Sequence, residues 1–345
     1  MGAEKLIFEE LDGDQARELV NTRQRHRALA KALRRVEGYR GSMSFADRSG
    51  AQYLLRDYYD PVSGVRKQKS LGRRDPETEA VAAEFVTGKK EAGERLKKAQ
   101  ETLRRQAGVN RALGLGRVPE IGARIVRSLD AAGLLGRGLR VIGTNALFAY
   151  EAAAGVHLGS EVLTTEDIDV LFDARARLRF AVEEDVADRT LMGLLRRIDG
   201  TFERTEAAFQ ARNATGYLVD LVRPVRTPPW RLEEGSVSKN PEDLTAVEIG
   251  GLVWHESAPA FESLAIDVKG APVRLVAPDP RAFAVHKLWL SQRPDRNPLK
   301  RRRDEAQARA AAALTSRYLT HLPFDPAVLR SFPKPLVEAA APLFE

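Results

Sequence analysis

Cysteine is missing from all 345 residues. That excludes disulfides, thiolate metal ligation and a cysteine nucleophile, and it fits a reducing, cytoplasmic setting. Long apolar runs are missing as well. None approaches the roughly 20 residues needed to cross a bilayer, so no membrane association is expected. Residues 1–14 are acidic and hold no apolar h-region, which argues against a signal peptide. Acids are scarce between residues 13 and 40, where Arg17, Arg23, Arg25, His26, Arg27, Lys31, Arg34, Arg35 and Arg40 face little beyond Glu18 and Glu37. What is present describes a globular chain, 43% hydrophobic and 30% charged, long enough for one large core or two to three modules. The net charge of +7 is a weak pointer to a polyanionic partner.

The chain centres on Thr164-Thr165-Glu166-Asp167-Ile168-Asp169-Val170-Leu171-Phe172, an apolar strand with two carboxylates at its mouth. Residues two apart in a strand share a face, so Asp167 and Asp169 point together. Two like charges that close repel, and a divalent cation between them makes the pair favourable; all-oxygen ligation with room for phosphates suits Mg²⁺. The competing reading is a solvated strand mouth, and an Asp-x-Asp alone does not separate the two.

Flanking stretches add weight to the metal. Leu139-Arg140-Val141-Ile142 reads as a short strand running into Gly143-Thr144-Asn145 and then into a helix-forming stretch at 146–154. Strand, small polar turn and helix aim backbone N–H groups at an anion, and Gly143 lets the backbone come close. Downstream, Gly216-Tyr217-Leu218-Val219-Asp220-Leu221-Val222-Arg223-Pro224 reads as a buried strand with one acid, Asp220, which needs a cation beside it. Arg223 is expected either to hold a phosphate or, preferably, to neutralise Asp220. Together these stretches make a coherent site for metal ions and a nucleoside triphosphate.

Gly143-Thr144-Asn145-Ala146-Leu147 followed by Thr165-Glu166-Asp167-Ile168-Asp169 resembles the nucleotidyltransferase superfamily of DNA polymerase β, in particular the branch of AbiEii-type toxins and related bacterial nucleotidyltransferases. The resemblance spans roughly 120–310. It implies a polymerase-β-like nucleotidyltransferase core with a mixed sheet flanked by helices; with the N-terminal helix and β-hairpin module and the C-terminal helices read from the residues themselves, the fold class expected is α+β. It further implies Mg²⁺ (or Mn²⁺) on Asp167 and Asp169 and an NTP such as ATP on Gly143 and Thr144; the reading of the residues adds Asp220 to the metal ligands and Asn145 to the triphosphate turn. A downstream helical lysine and an Arg-Asp pair are implied too, offered here by Lys287 and by Arg303-Asp304. Thr144 stands where much of the superfamily has Ser, and the long gap from Gly143 to Asp167 calls for an extended loop over 155–163.

Around this centre, a helix is expected over 13–37 with Asp14 as its N-cap. Strands over 42–45, 52–59 and 65–72 follow, turning at 49–50 and 60–64. Tyrosines interleave there with cations. Arg23 and Arg27 on the helix, with Tyr53, Arg56, Arg66 and Lys67 on the strands, are candidate nucleic-acid contacts; a solvated helix face and a packed hairpin are the bland alternatives. Residues 1–75 would form this accessory module, and 76–112 a long connecting helix capped by Asp75 that ends in a linker over 108–116. The core would occupy 113–278 and a helical region 279–345. Within them, 174–180 reads as a turn, 228–230 as a surface loop, 202–212 as strand or helix, and 247–254, 265–268 and 273–276 as strands. His286 is expected to be packed rather than catalytic. Lys287 is weighed between a phosphate ligand and a snorkelling lysine, and the motif order favours the ligand.

The function these readings imply is NMP transfer from an NTP to an acceptor hydroxyl, with RNA, and a tRNA end especially, as the acceptor. A toxin-like role with an antitoxin partner is allowed by the resemblance. A protein or aminoglycoside acceptor, or a non-catalytic nucleic-acid-binding protein on the same scaffold, are the alternatives.

Overall fold

Residues 8–59, 65–173, 190–225, 235, 238 and 240–345 are described by the computed structural model. The turns expected at 60–64 and 174–180 and the loop at 228–230 lie outside these residues. The N-terminal part runs β1 (Phe8–Glu10), α1 (Gly13–Gly38), β2 (Ser42–Arg48), β3 (Ala51–Tyr59), β4 (Arg66–Arg73) and α2 (Pro76–Ala112). Asp12, not Asp14, caps α1. Its extended backbone lets its carboxylate accept from the Asp14 and Gln15 N–H groups, while Asp14 already sits inside the first turn. Asp75 caps α2, with Pro76 at the first helical position. Strands β2, β3 and β4 form an antiparallel sheet. The linker expected over 108–116 is helical as far as Ala112. Asn110 is buried there, joined to Thr22 of α1 at 3.0 Å and to the Gly270 carbonyl at 2.9 Å, so tertiary contacts carry the helix past Gly108.

The remainder continues α3 (Glu120–Ala131), β5 (Leu139–Ile142), a 3-10 turn (Gly143–Ala146), α4 (Leu147–Ala154), β6 (Val156–Leu158), α5 (Ser160–Leu163), β7 (Asp167–Phe172), α6 (Leu191–Ile198), β8 (Glu203–Arg204), β9 (Gln210–Arg212), β10 (Leu218–Pro224), β11 (Val247–Ile249), α7 (Leu252–Ser257), β12 (Ala260–Ile266), β13 (Pro272–Pro278), α8 (Pro280–Gln292), α9 (Pro298–Tyr318) and α10 (Lys334–Ala340). The central sheet is mixed. β5 pairs antiparallel with β7, β7 parallel with β10, and the far edge of β10 is shared by β9 and β11. Alternation sends Ile168, Val170, Val219 and Leu221 into the main core, where they meet Leu129, Leu147 and Phe283. Tyr150 anchors α4 there, donating to the Pro278 carbonyl at 2.8 Å between the rings of Phe261 and Phe283.

Several expected boundaries move, some through strand pairing and one through a local turn. The loop expected over 155–163 is ordered as β6 and α5, because β6 finds an antiparallel partner in β1. Segment 202–212 is a short hairpin, β8 with β9. The strand expected over 247–254 stops at Ile249. Gly251 takes φ +85, a conformation that favours glycine, and the chain turns into α7. Strand β12 starts at Ala260, earlier than expected, because it pairs with β13 along its whole length, Ala260 opposite Pro278.

Candidate functional site

Parallel pairing of β7 with β10 sets Asp220 directly opposite Asp169, and Leu218 opposite Asp167. Asp167, Asp169 and Asp220 therefore lie at the same end of two neighbouring strands, all on the face away from Ile168 and Val219. On the other side of β7, Ile142 of β5 is also opposite Asp169. The next residue, Gly143, turns back over that carboxylate. Its φ of +64 favours glycine, and a Cβ there would stand 2.1 Å from Asp169 Oδ2. A glycine is thus demanded twice at one position, once by its backbone and once by the acid it covers.

The acids are held unequally. The Thr165 hydroxyl donates to Asp167 Oδ1, and the Gln210 amide donates to Asp220 Oδ1 at 2.8 Å. Asp169 keeps a partly exposed edge but is otherwise walled in by protein. Burial, with the charges of Asp167 and Asp220, pushes its carboxyl up to about 6, and Lys287 and Lys300 pull the other way. Asp220 is raised too, by burial and by Asp167, against the Gln210 donation and Lys300.

The bend is fixed from behind. Asn145 Nδ2 donates to the Asp167 carbonyl at 2.7 Å, and buried Gln307 of α9 donates to the Thr144 hydroxyl at 3.0 Å and to the Val162 carbonyl at 2.8 Å. Asn145 Oδ1 and the Tyr217 hydroxyl are buried without a hydrogen-bond partner among the described residues. Gly122 leaves room beside both. Burial and the charges of Asp167 and Asp169 raise the Tyr217 hydroxyl, which places it in the field of the acids.

Lys287 on α8 is buried, and its Nζ donates to Asp304 Oδ1 of α9 at 2.8 Å; Arg296 Nε donates to Asp304 Oδ2 at 2.9 Å. Burial lowers the Lys287 ammonium, Asp304 raises it, and Asp169 acts on it as well. Its neighbour His286 is packed against Trp254 and Trp289, its Nδ1 2.8 Å from Nε2 of buried His255. Arg223 does not take the role preferred for it. Three residues from Asp220 in a strand it faces the opposite side, and it pairs with Glu248, its register partner on β11, at 3.1 Å.

The six candidate nucleic-acid residues do not share one surface. Arg23 donates to the Ala152 carbonyl at 2.6 Å and docks α1 on the core. Arg27 shares with Arg23 the lining of a cavity of about 340 Å³, beside His26, Glu262 and Arg274. Arg56 donates to the Gly38 carbonyl at 2.9 Å and covers the Phe85 ring, roughly 20 Å of helix beyond Arg23. Arg66 pairs with Asp57 at 3.4 Å, Lys67 lies opposite Tyr58, and Tyr53 lies opposite Ala46 and Arg73. Sequence reasoning missed Thr165, Gln210, Tyr217, Lys300 and Gln307. Two of these carried a signal: Thr165 as the head of the Thr-x-Asp-Ile-Asp motif, and Tyr217 as an aromatic hydroxyl just ahead of an acid-bearing strand.

The donor set fits a hard divalent cation. It is all carboxylate, two of the acids are each anchored through one oxygen, and the third bears a charge disfavoured until a cation offsets it. Among the described residues no three His, Asp or Glu side chains are already gathered closely enough to hold a metal. Repulsion among uncompensated carboxylates gives a physical reason. No helix among the described residues is long and apolar enough to cross a membrane. A family model described as nucleotidyltransferase matches residues 120–332. No curated protein and no solved structure matches the chain.

Proposed function

The chain belongs to the nucleotidyltransferase family, and from that premise we propose that it moves NMP from an NTP to a hydroxyl of an RNA acceptor, a tRNA end in particular. The acceptor oxygen forms a bond to the α-phosphorus, the bond from that phosphorus to the bridging oxygen breaks, and pyrophosphate leaves. The observation that carries this reading is the register of Asp220 against Asp169, with Gly143 closed over the latter.

Asp167, Asp169 and Asp220 would hold Mg²⁺, with Mn²⁺ as the substitute. Bound there, the metal supplies charge neutralisation and lowers the pKa of the attacking hydroxyl. Asp220, its carboxyl raised and its Oδ1 held by Gln210, takes the proton of the acceptor hydroxyl. Gly143, Thr144 and Asn145 carry the triphosphate. Lys287 balances its charge, and Asp304 orients Lys287. The antiparallel strand beside a parallel acid-bearing pair supports a polymerase-β-like core within 113–278, with an accessory module over 1–75, a connecting helix over 76–112 and a helical region over 279–345. Kinship with the AbiEii-type branch, a toxin-like role with an antitoxin partner and a cytoplasmic location belong to the same reading.

The test is incubation with each α-³²P NTP, Mg²⁺ and total RNA, comparing the parent with Asp169→Asn. Label on RNA from the parent alone is the expected result. Label on protein or on an added aminoglycoside would move the acceptor to those classes. Equal labelling by both proteins would remove the acids from the chemistry.

A further inference from the structure

Helices α1 and α2 pack along each other, and between them lies an open cleft of about 540 Å³. It begins about one turn beyond Thr22 and Arg23, where α1 is docked. Its lining repeats at helical spacing on both sides: Arg25, Ala28, Lys31 and Arg35 along α1, then Arg95 and Lys98 along α2. The apolar members are all alanine, so the floor is shallow and the cations stand as walls.

Among the described residues no acid lines this cleft. Arg95 reaches Glu91 only at 3.7 Å on its own helix, and Arg25, Lys31, Arg35 and Lys98 form no ion pair among the described residues. Five like charges facing a common space repel one another, an arrangement that a polyanion reverses by lying between them. Arg25 to Arg35 spans roughly 15 Å of helix, long enough to meet more than one phosphate of a single strand. Among the described residues no aromatic ring lines the cleft to stack a base, so the contact is with backbone and independent of sequence. No apolar side chain larger than alanine lines the cleft among these residues, so an anionic membrane would find nothing there to insert.

We infer that the cleft between α1 and α2 seats the phosphate backbone of an RNA strand. The strand's identity as acceptor rests on the transfer reading above, whereas the contact itself does not. Three proteins test it: the parent, Arg25→Gln/Lys31→Gln/Arg35→Gln/Lys98→Gln, and an equal charge loss outside the cleft, Lys90→Gln/Lys97→Gln/Arg104→Gln/Arg105→Gln. Glutamine keeps helix propensity close to that of the residues replaced, and matching thermal melts show that each protein is folded. Fluorescence anisotropy is read on a labelled single-stranded RNA of about 20 nucleotides between about 50 and 200 mM salt.

The cleft variant is expected to bind at least tenfold more weakly, with a log–log salt slope shallower by about 2 to 3, at ~0.7 per phosphate released. The off-cleft variant is expected to keep most of the parental slope. Parental binding by the cleft variant, or an equal loss in both variants, overturns the inference. So does a parent that ignores RNA yet binds polyglutamate or anionic vesicles through these residues. Label transfer on the same samples separates the two readings. Cleft-dependent binding without RNA labelling by the parent refutes the acceptor alone, and RNA labelling with an unchanged KM in the cleft variant refutes the cleft alone.

Discussion

Two groups of buried acid in this protein are treated in opposite ways. Asp304 is fully buried, and the fold answers it from two sides with Lys287 and Arg296 at 2.8 and 2.9 Å. Asp169, on β7, is answered by neutral donors on its neighbours and by two more carboxylates. The first group is a closed ion network that holds α8 to α9. The second has no cation in contact among the described residues, only the more distant charges of Lys287 and Lys300, and that costs stability unless a cation arrives. The contrast separates what the chain neutralises for itself from what it leaves for a ligand.

That contrast can be broken from either side. The largest expected effect is on chemistry: Asp169→Asn should lower label transfer at least a thousandfold, about 4 kcal/mol of barrier, in the radiolabel assay at saturating Mg²⁺. Next comes the closed network. Asp304→Asn leaves Lys287 and Arg296 as buried or half-buried cations without a counter-charge, and urea unfolding should show a loss of about 3 kcal/mol. A loss under 1 kcal/mol, roughly the worth of an exposed pair, would mean that the network is solvated.

Gly143→Ala tests the lid over the open group. A Cβ would meet Asp169 Oδ2 at 2.1 Å on a backbone with φ +64, so the bend must shift. A stability loss of about 2 kcal/mol is expected, with a larger proportional loss of activity than of stability. Parental activity in a folded Gly143→Ala protein would detach the bend from the site.

The smallest effect carries a sign. Asp169 has its folded pKa raised to about 6 from 3.8. The stability it contributes is therefore fully present below the unfolded value and is lost as pH rises through about 6. In EDTA the parent should lose stability across that window, and Asp169→Asn should be the more stable protein at pH 8, by about 1 to 2 kcal/mol once its partly exposed edge is discounted. Added Mg²⁺ should narrow or reverse that difference. A flat difference between the two proteins from pH 4 to 8 in EDTA would show that Asp169 is ionised at no cost.

Much of the fold was legible because its signals are local. Asp75-Pro76 starts α2 and Asp279-Pro280 starts α8 through cap chemistry that needs no neighbours. The Asp-x-Asp alternation and the lone Asp220 announced an acid-bearing strand pair for the same reason. The cap of α1 and the turn at Gly251 were misplaced by a few residues, while the larger errors fell where a distant partner decided the outcome. The segment after Gly155 is a strand because β1, almost 150 residues earlier in the chain, pairs with it. α2 outlasts its glycine because Asn110 reaches Thr22 and Gly270.

The sequence by itself determined the chemistry on offer: which residues are acids, which strands could carry them, that Gly143 frees a tight bend, and that α1 is rich in cations and poor in acids. Tertiary structure alone decided the rest. It set Asp220 in register with Asp169, bound Lys287 to Asp304, gave Arg223 to Glu248, used Arg23 and Arg56 as fasteners, and left Arg25, Lys31 and Arg35 to face α2. Periodicity along one segment reports only which face a side chain takes. What that face meets depends on the pairing of segments far apart in the chain, which no local pattern encodes.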